Sequence, residues 1–277
     1  MGLRVNTNIA SLTAQRNLNV ATSRLQGNYA RLASGLRIAV AADDAAGLAI
    51  SERMRSQIRS YGVAGRNALD GISLAQTAEG ALNEVSGILN RMRELAMQSA
   101  NGTLSSSDRE TLDAEFSQLK EEVDRISGTT VFNGINLLDG SAAGGIPIQV
   151  GIMDSPTNDV IDVSLEATDT TQLGLTTTDV LSISNAQVAL TSIDSAIDSV
   201  NDSRGVLGAQ QNRMESALRS IQVQRENLSA SESRIRDVDV AEETADLTRN
   251  TIMQQAATAI LSQANVQPQI ALTLLQG

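Results

Sequence analysis

The sequence predicts a mainly α protein, an elongated antiparallel helical bundle or coiled coil formed by both ends of the chain, with a small central β-hairpin region. Three observations carry this. Prolines occur only at Pro147, Pro156 and Pro268, so two long arms contain none of the strongest helix breaker. Within both arms apolar residues recur every seven positions, the spacing of a helix that buries a narrow seam. Aromatics are limited to Tyr29, Tyr61, Phe116 and Phe132, a composition suited to helices lying side by side rather than to a many-layered core.

The N-terminal arm opens with Leu18, Leu25 and Leu32 at heptad spacing. A small-residue stretch, ASGLRIAVAADDAAGLAIS at 33–51, then breaks the pattern around the adjacent Asp43 and Asp44. Leu82, Val85, Leu89, Met92 and Ala96 step by three and four, as do Leu112, Phe116, Leu119, Val123 and Ile126. Between these two helices Asn101-Gly102 supplies a stop, and Ser105–Ser107 with Asp108 supplies a cap for the next start.

Residues 129–180 have a different period. Ile146, Ile148, Val150 and Ile152 alternate, as do Ile161, Val163 and Leu165, and the turn-forming MDSPTND lies between them, which predicts a β-hairpin. The second arm then carries the longest series in the chain: Ile193, Val200, Leu207, Met214, Ile221, Leu228 and Ile235. Forty-three residues of helix span about 65 Å, and a single seam of this kind needs partners along most of its length. Beyond it Ile252, Ala256, Ile260 and Ala264 recur every fourth residue and predict the apolar face of a last helix.

Charge divides the chain. Residues 1–42 carry five arginines and no acid, residues 250–277 carry no charged side chain, and the middle holds most of the acid behind the formal charge of −11. An acidic middle argues against nucleic acid as a partner, and the uncharged end contains too many Asn, Gln, Ser and Thr for stable membrane insertion. The start has no uninterrupted apolar segment of the signal-peptide kind. Ends that cannot be stable alone are best explained by mutual pairing in an assembly.

Cysteine and histidine are both absent, which removes thiol nucleophiles, imidazole bases and the commonest zinc ligands and argues against an enzyme; no cofactor is implied. Asp43 and Asp44 are the obvious carboxylate pair, but neighbours on a helix point about 100° apart and cannot alone clamp one metal. Preceding AAGLAI, they suit an N-cap and a local joint. The segment RMRELAMQSAN at 91–101 sets Arg91 and Leu95 one turn apart beside the internal seam, consistent with either a solvated face or a docking surface.

Taken in order, VNTNIASL at 5–12, LASGLRI at 32–38, ADDAAGLAIS at 42–51, RMRELAMQSAN at 91–101, FNGINLLDG at 132–140 and ILSQANVQPQIALTLLQG at 260–277 resemble the bacterial flagellins across nearly the whole chain. That resemblance implies a secreted, extracellular filament subunit that self-assembles for swimming motility. It assigns residues 1–34 and 242–277 to inner-tube helices, 35–45 and 237–241 to spoke linkers, and 46–128 and 181–236 to rod helices. The inner-tube helices would pair through Leu18, Leu25, Leu32, Ile252, Ala256 and Ile260, and Asp43 and Asp44 would cap the spoke.

The resemblance also implies partners. They are further copies in a homopolymer, a flagellar export chaperone at the C-terminal helix, hook-associated junction and cap proteins, and an innate immune receptor of animals. Arg91, Leu95 and Glu115 are carried over as the surface for subunit packing and for that receptor. Ala39-Val40 stands where the family usually has a polar pair. Two other readings compete: a hook-filament junction protein of the same superfamily, whose members tend to have proline soon after the aspartates, and a membrane-active helical protein.

Overall fold

The computed structural model describes residues 7–153 and 155–276. Residues 1–6 of the expected first helix, Asp154 of the expected hairpin turn and Gly277 lie outside the described residues. In chain order the elements are α1 (Ile9–Ser34), α2 (Ala45–Ser99), α3 (Ser106–Thr129), β1 (Val131–Phe132), β2 (Ile135–Asn136), β3 (Ile146–Gln149), β4 (Val160–Val163), α4 (Ile183–Arg236) and α5 (Val240–Gln276). The mainly α class holds, with two small antiparallel sheets.

The chain divides into two compact units, one made from residues 1–56 with 227–277, the other from 57–226. In the first, α1 packs along α5. Asn8 caps α1, its side chain accepting the Ser11 amide at 3.0 Å, and Gly35 closes it in the left-handed conformation at φ 71°, which glycine adopts without a Cβ penalty. Leu36 bridges to Asp237 in an antiparallel pair. Where the resemblance implies a linker at 237–241, α4 runs to Arg236 and α5 begins at Val240.

The second unit is built on α3 with the parts of α2 and α4 that fall within it, around buried Leu82, Leu89, Met92, Phe116, Ile193 and Leu207. The long heptad series of α4 is inside from Ile193 to Ile221 and fades to half-buried at Leu228 and Ile235. Ser105 and Asp108 form a reciprocal capping box at the start of α3. Arg109 is buried and closes the end of α2: Nε donates to the Ser99 carbonyl at 2.9 Å, Nη1 to Leu104 at 3.0 Å and Nη2 to Asn101 at 2.8 Å.

The expected hairpin forms as β3 and β4, with Ile146 opposite Val163 and Ile148 opposite Ile161. A second hairpin, β1 with β2, precedes it, turning through Asn133 and Gly134, both at positive φ. Asn-Gly is the residue pair such two-residue turns favour. Lys120, the one lysine of the sequence, fastens the stretch before α4 by donating to the Thr178 carbonyl at 2.8 Å.

Candidate functional site

The aspartate pair lies at a joint, and both carboxylates are occupied by backbone. Asp43 Oδ2 accepts the amides of Ala39 (3.0 Å) and Val40 (3.1 Å), holding a tight turn. Because the bonds run to backbone, the apolar side chains of Ala39 and Val40 do not weaken the turn. Those amides, Val40 first, hold the Asp43 carboxyl below its ordinary range. Asp44 Oδ1 accepts the Gly47 amide at 2.9 Å and so caps the first turn of α2.

Gly47 explains the small residues around it. A Cβ there would stand 2.4 Å from Asp44 Oδ2 and 2.8 Å from Ile38 Cδ1, and Ile38 is buried. Across the joint the Arg37 amide donates to the Arg236 carbonyl at 2.7 Å and the Val238 amide to the Gly35 carbonyl at 3.0 Å. Arg236 in turn reaches Glu52 at 2.6 Å. Among the described residues no group of three or more carboxylates is arranged to hold a metal ion.

The helix pair that meets this joint corrects part of the sequence reading. On α1, Leu25 is buried and Leu18 and Leu32 are half-buried, as the heptad predicts. On α5, Ile252, Ala256 and Ile260 do not enter the pairing; they are exposed, Ile252 and Ile260 each at 60%. The residues that meet α1 are polar or small, with Leu247 and Leu261 between them. Asn250 donates to Asn28 Oδ1 at 2.7 Å, Gln254 to Thr22 at 3.4 Å, and Asn8 to the Ala264 carbonyl at 2.7 Å. Hydrogen bonding at these positions turns the apolar face outward.

At the centre of that pairing is Glu243. Its Oε1 accepts from Asn28 Nδ2 and from Arg31, whose Nη2 stands at 2.9 Å. The Arg31 guanidinium, assisted by Asn28, holds the Glu243 carboxyl below its ordinary value.

In the other unit Arg91 is an exposed fork. Its Nε donates to Glu115 at 2.9 Å and its Nη1 to Glu94 at 2.9 Å. Both acids, Glu94 first, favour the charged guanidinium, although exposed pairs of this kind contribute little stability. Leu95 is not part of this surface. At 1% exposure it belongs to the core with Met92 and Ala96, because α2 is covered on that flank as well as along its main seam.

Two family patterns match most of the chain, the joint and the helix pair included. Residues 5–143 match the bacterial flagellin N-terminal helical region, and residues 190–275 match the bacterial flagellin C-terminal helical region. The chain belongs to the bacterial flagellin family. A flagellin of Halalkalibacterium halodurans is 46% identical over 274 residues, covering 98% of this chain and 99% of that one. The flagellar filament 30.7 kDa core protein of Treponema maltophilum is 44% identical over 283 residues, covering 98% and 99%. The crystal structure of Bacillus cereus flagellin superposes with a TM-score of 0.51 at 36% identity, covering 60% of this chain and 94% of that one. Flagellins are structural proteins, and this flagellin-family chain is a structural subunit of the filament.

Proposed function

We infer that copies of this chain polymerise into the bacterial flagellar filament outside the cell, with inner-tube helices at 1–34 and 242–277, spokes at 35–45 and 237–241, and a rod from 46 to 236. The observation that carries this reading is the uncovered face of α5. Ile252, Met253 and Ile260 are exposed in a stretch without charge, on the side away from α1. A helix that has satisfied one face on its own chain and leaves a second apolar face open is suited to packing against further copies.

The same face gives the export chaperone that the family resemblance implies at the C-terminal helix something to hold before assembly. Junction and cap proteins carrying similar terminal helices would meet it at the filament ends. Arg91 and Glu115, exposed and paired, remain the residues for packing along the filament and for an innate immune receptor; Leu95 would act only by supporting them. A junction protein is disfavoured because AAGLAI, without proline, follows the aspartates. Among the described residues no helix is long and apolar enough to cross a membrane.

The test is to seed purified subunit with filament fragments and follow growth by electron microscopy. Growth is expected from the full chain. It should fail in a chain lacking residues 242–277, whose rod would still give a helical circular dichroism spectrum. A full chain that stays unpolymerised over a range of salt and concentration, or a truncated one that polymerises, counts against the reading.

A further inference from the structure

Two interleaved seven-residue series make up each side of the α1/α5 pair. On α1 they are Ala14, Ala21, Asn28 and Leu18, Leu25, Leu32; on α5 they are Glu243, Asn250, Ala257, Ala264 and Leu247, Gln254, Leu261. Every one of these residues is buried or half-buried. Most are alanine or leucine, and that repetition has a cost in specificity. If α5 slid along α1 by one heptad, about 10.5 Å, alanines would still meet small partners and leucines would still meet leucines.

The polar members do not survive such a slide. In the observed register Asn28, 1% exposed, is held between Glu243 and Asn250, and Glu243, 9% exposed, is also bonded to Arg31. A slide in one direction would set Glu243 and Asn250 against the Leu18–Leu25 stretch. In the other, Asn28 would lie between Asn250 and Ala257 while Glu243 passed the end of α1. The first leaves a buried carboxylate and amide among leucines, and the second takes from buried Asn28 its carboxylate partner and from Arg31 its counter-charge, a larger penalty than any loss among alanines and leucines.

We propose that the Asn28–Glu243–Arg31–Asn250 cluster is a register key that fixes how the two ends of the chain align. A buried polar or ionic group among apolar neighbours is suited to that task, since replacing it by apolar residues commonly keeps or raises stability while releasing the register. Among the described residues of this pair, the key is the one place where a carboxylate, a guanidinium and two amides from both helices meet. The slide-tolerant alanines and leucines are what make it necessary.

The chain contains no cysteine, so engineered pairs report against a silent background. Ser11 and Asn265, whose side chains are 2.7 Å apart, become the native-register reporter as S11C with N265C. S11C with T258C and L18C with N265C report the two one-heptad slides. Oxidation is read on non-reducing gels as a faster-migrating closed monomer, in the soluble subunit and after polymerisation, so a failure to polymerise is distinguished from a failure of the key. In the otherwise unchanged chain only the native pair should close. With N28L, E243L and N250L combined, helix content should persist and the slid pairs should close as well.

If the leucine variant does not fold, N28A with E243A, which extends the alanines already at 14, 21, 257 and 264, gives the same comparison. Closure of the native pair alone in these variants would overturn the proposal. So would closure of slid pairs in the unchanged key, or failure of the native pair to close in either state.

Discussion

Asp44 accepts the Gly47 amide at 2.9 Å, and the same carboxylate would lie 2.4 Å from any Cβ placed on Gly47. Cap and glycine therefore form one device. The carboxylate can reach over the first turn of α2 only because nothing projects from position 47, and Ile38 fills the remaining side.

Gly47→Ala should accordingly destabilise the joint even though alanine is the better helix former. The methyl group must displace the Asp44 carboxylate, losing a cap worth about 1 kcal/mol, and must press on Ile38, with overpacking adding roughly 1 to 3 kcal/mol. Asp44→Ala should cost only the cap. Denaturant unfolding of both variants measures the difference, and a Gly47→Ala chain as stable as the parent would show that the close approach is not a constraint.

Arg109→Ala should weaken the other unit by roughly 2 to 4 kcal/mol, since it leaves the carbonyl of Ser99 at the end of α2 and those of Asn101 and Leu104 in the following loop without their charged donor. Arg109→Lys should recover only part of this, because an ammonium cannot reproduce a planar fork aimed at three acceptors. Thermal unfolding of the two variants gives the order, with Ala below Lys and Lys below the parent.

How much of this was legible depends on the polarity of each seam. The α4 series could be read directly, because Ile193, Val200, Leu207, Met214 and Ile221 are apolar at every heptad and all are buried. The partner face of α5 could not, because the positions that meet α1 include Glu243, Asn250 and Gln254, while the apolar Ile252 and Ile260 point away. Counting apolar residues finds the face that most needs covering, which on α5 is not the face covered by its own chain. Arg109 was hidden for a similar reason, since an arginine in the first turn of a helix ordinarily suggests solvent. The β1–β2 hairpin did carry its signal, Asn133-Gly134 between Phe132 and Ile135, but strands of two residues are too short to show alternation.

Acid should loosen the α1/α5 pair. The folded-state carboxyl of Glu243 lies below its ordinary value of 4.5, so its contribution is complete above that value and is lost as pH falls through the folded one. Arg31 faces it from α1, Asp239, Glu242 and Asp246 line the same cleft on its own side, and Arg37, Asp43 and Asp44 line it as well. Asp43 is shifted in the same direction and adds to the acid response. Glu243→Gln keeps the contact with Asn28 but removes the charge beside Arg31. The parent should therefore be the more stable at pH 7, with the gap closing as pH drops below 4.5; a gap independent of pH would mean that the Arg31 pairing contributes nothing.

The exposed face of α5 gives the sharpest separation between folding and assembly. Ile252 and Ile260 are each 60% exposed, so Ile252→Asn with Ile260→Asn should change subunit stability by no more than about 0.5 kcal/mol. If neighbouring copies cover both side chains, each isoleucine contributes about 1.5 to 3 kcal/mol to polymerisation. Together they make at least about 3 kcal/mol, and since about 1.4 kcal/mol is a tenfold change in an equilibrium constant, the concentration needed for seeded growth should rise on the order of 100-fold. Sedimentation of seeded subunit across a concentration series measures that threshold. The control is Leu25→Asn, which strikes the face already covered within the chain and should lower subunit stability and assembly together. A double variant that polymerises at the parent's concentration would mean the outward face of α5 stays open in the filament, and the subunit contacts would then have to be sought elsewhere on the chain.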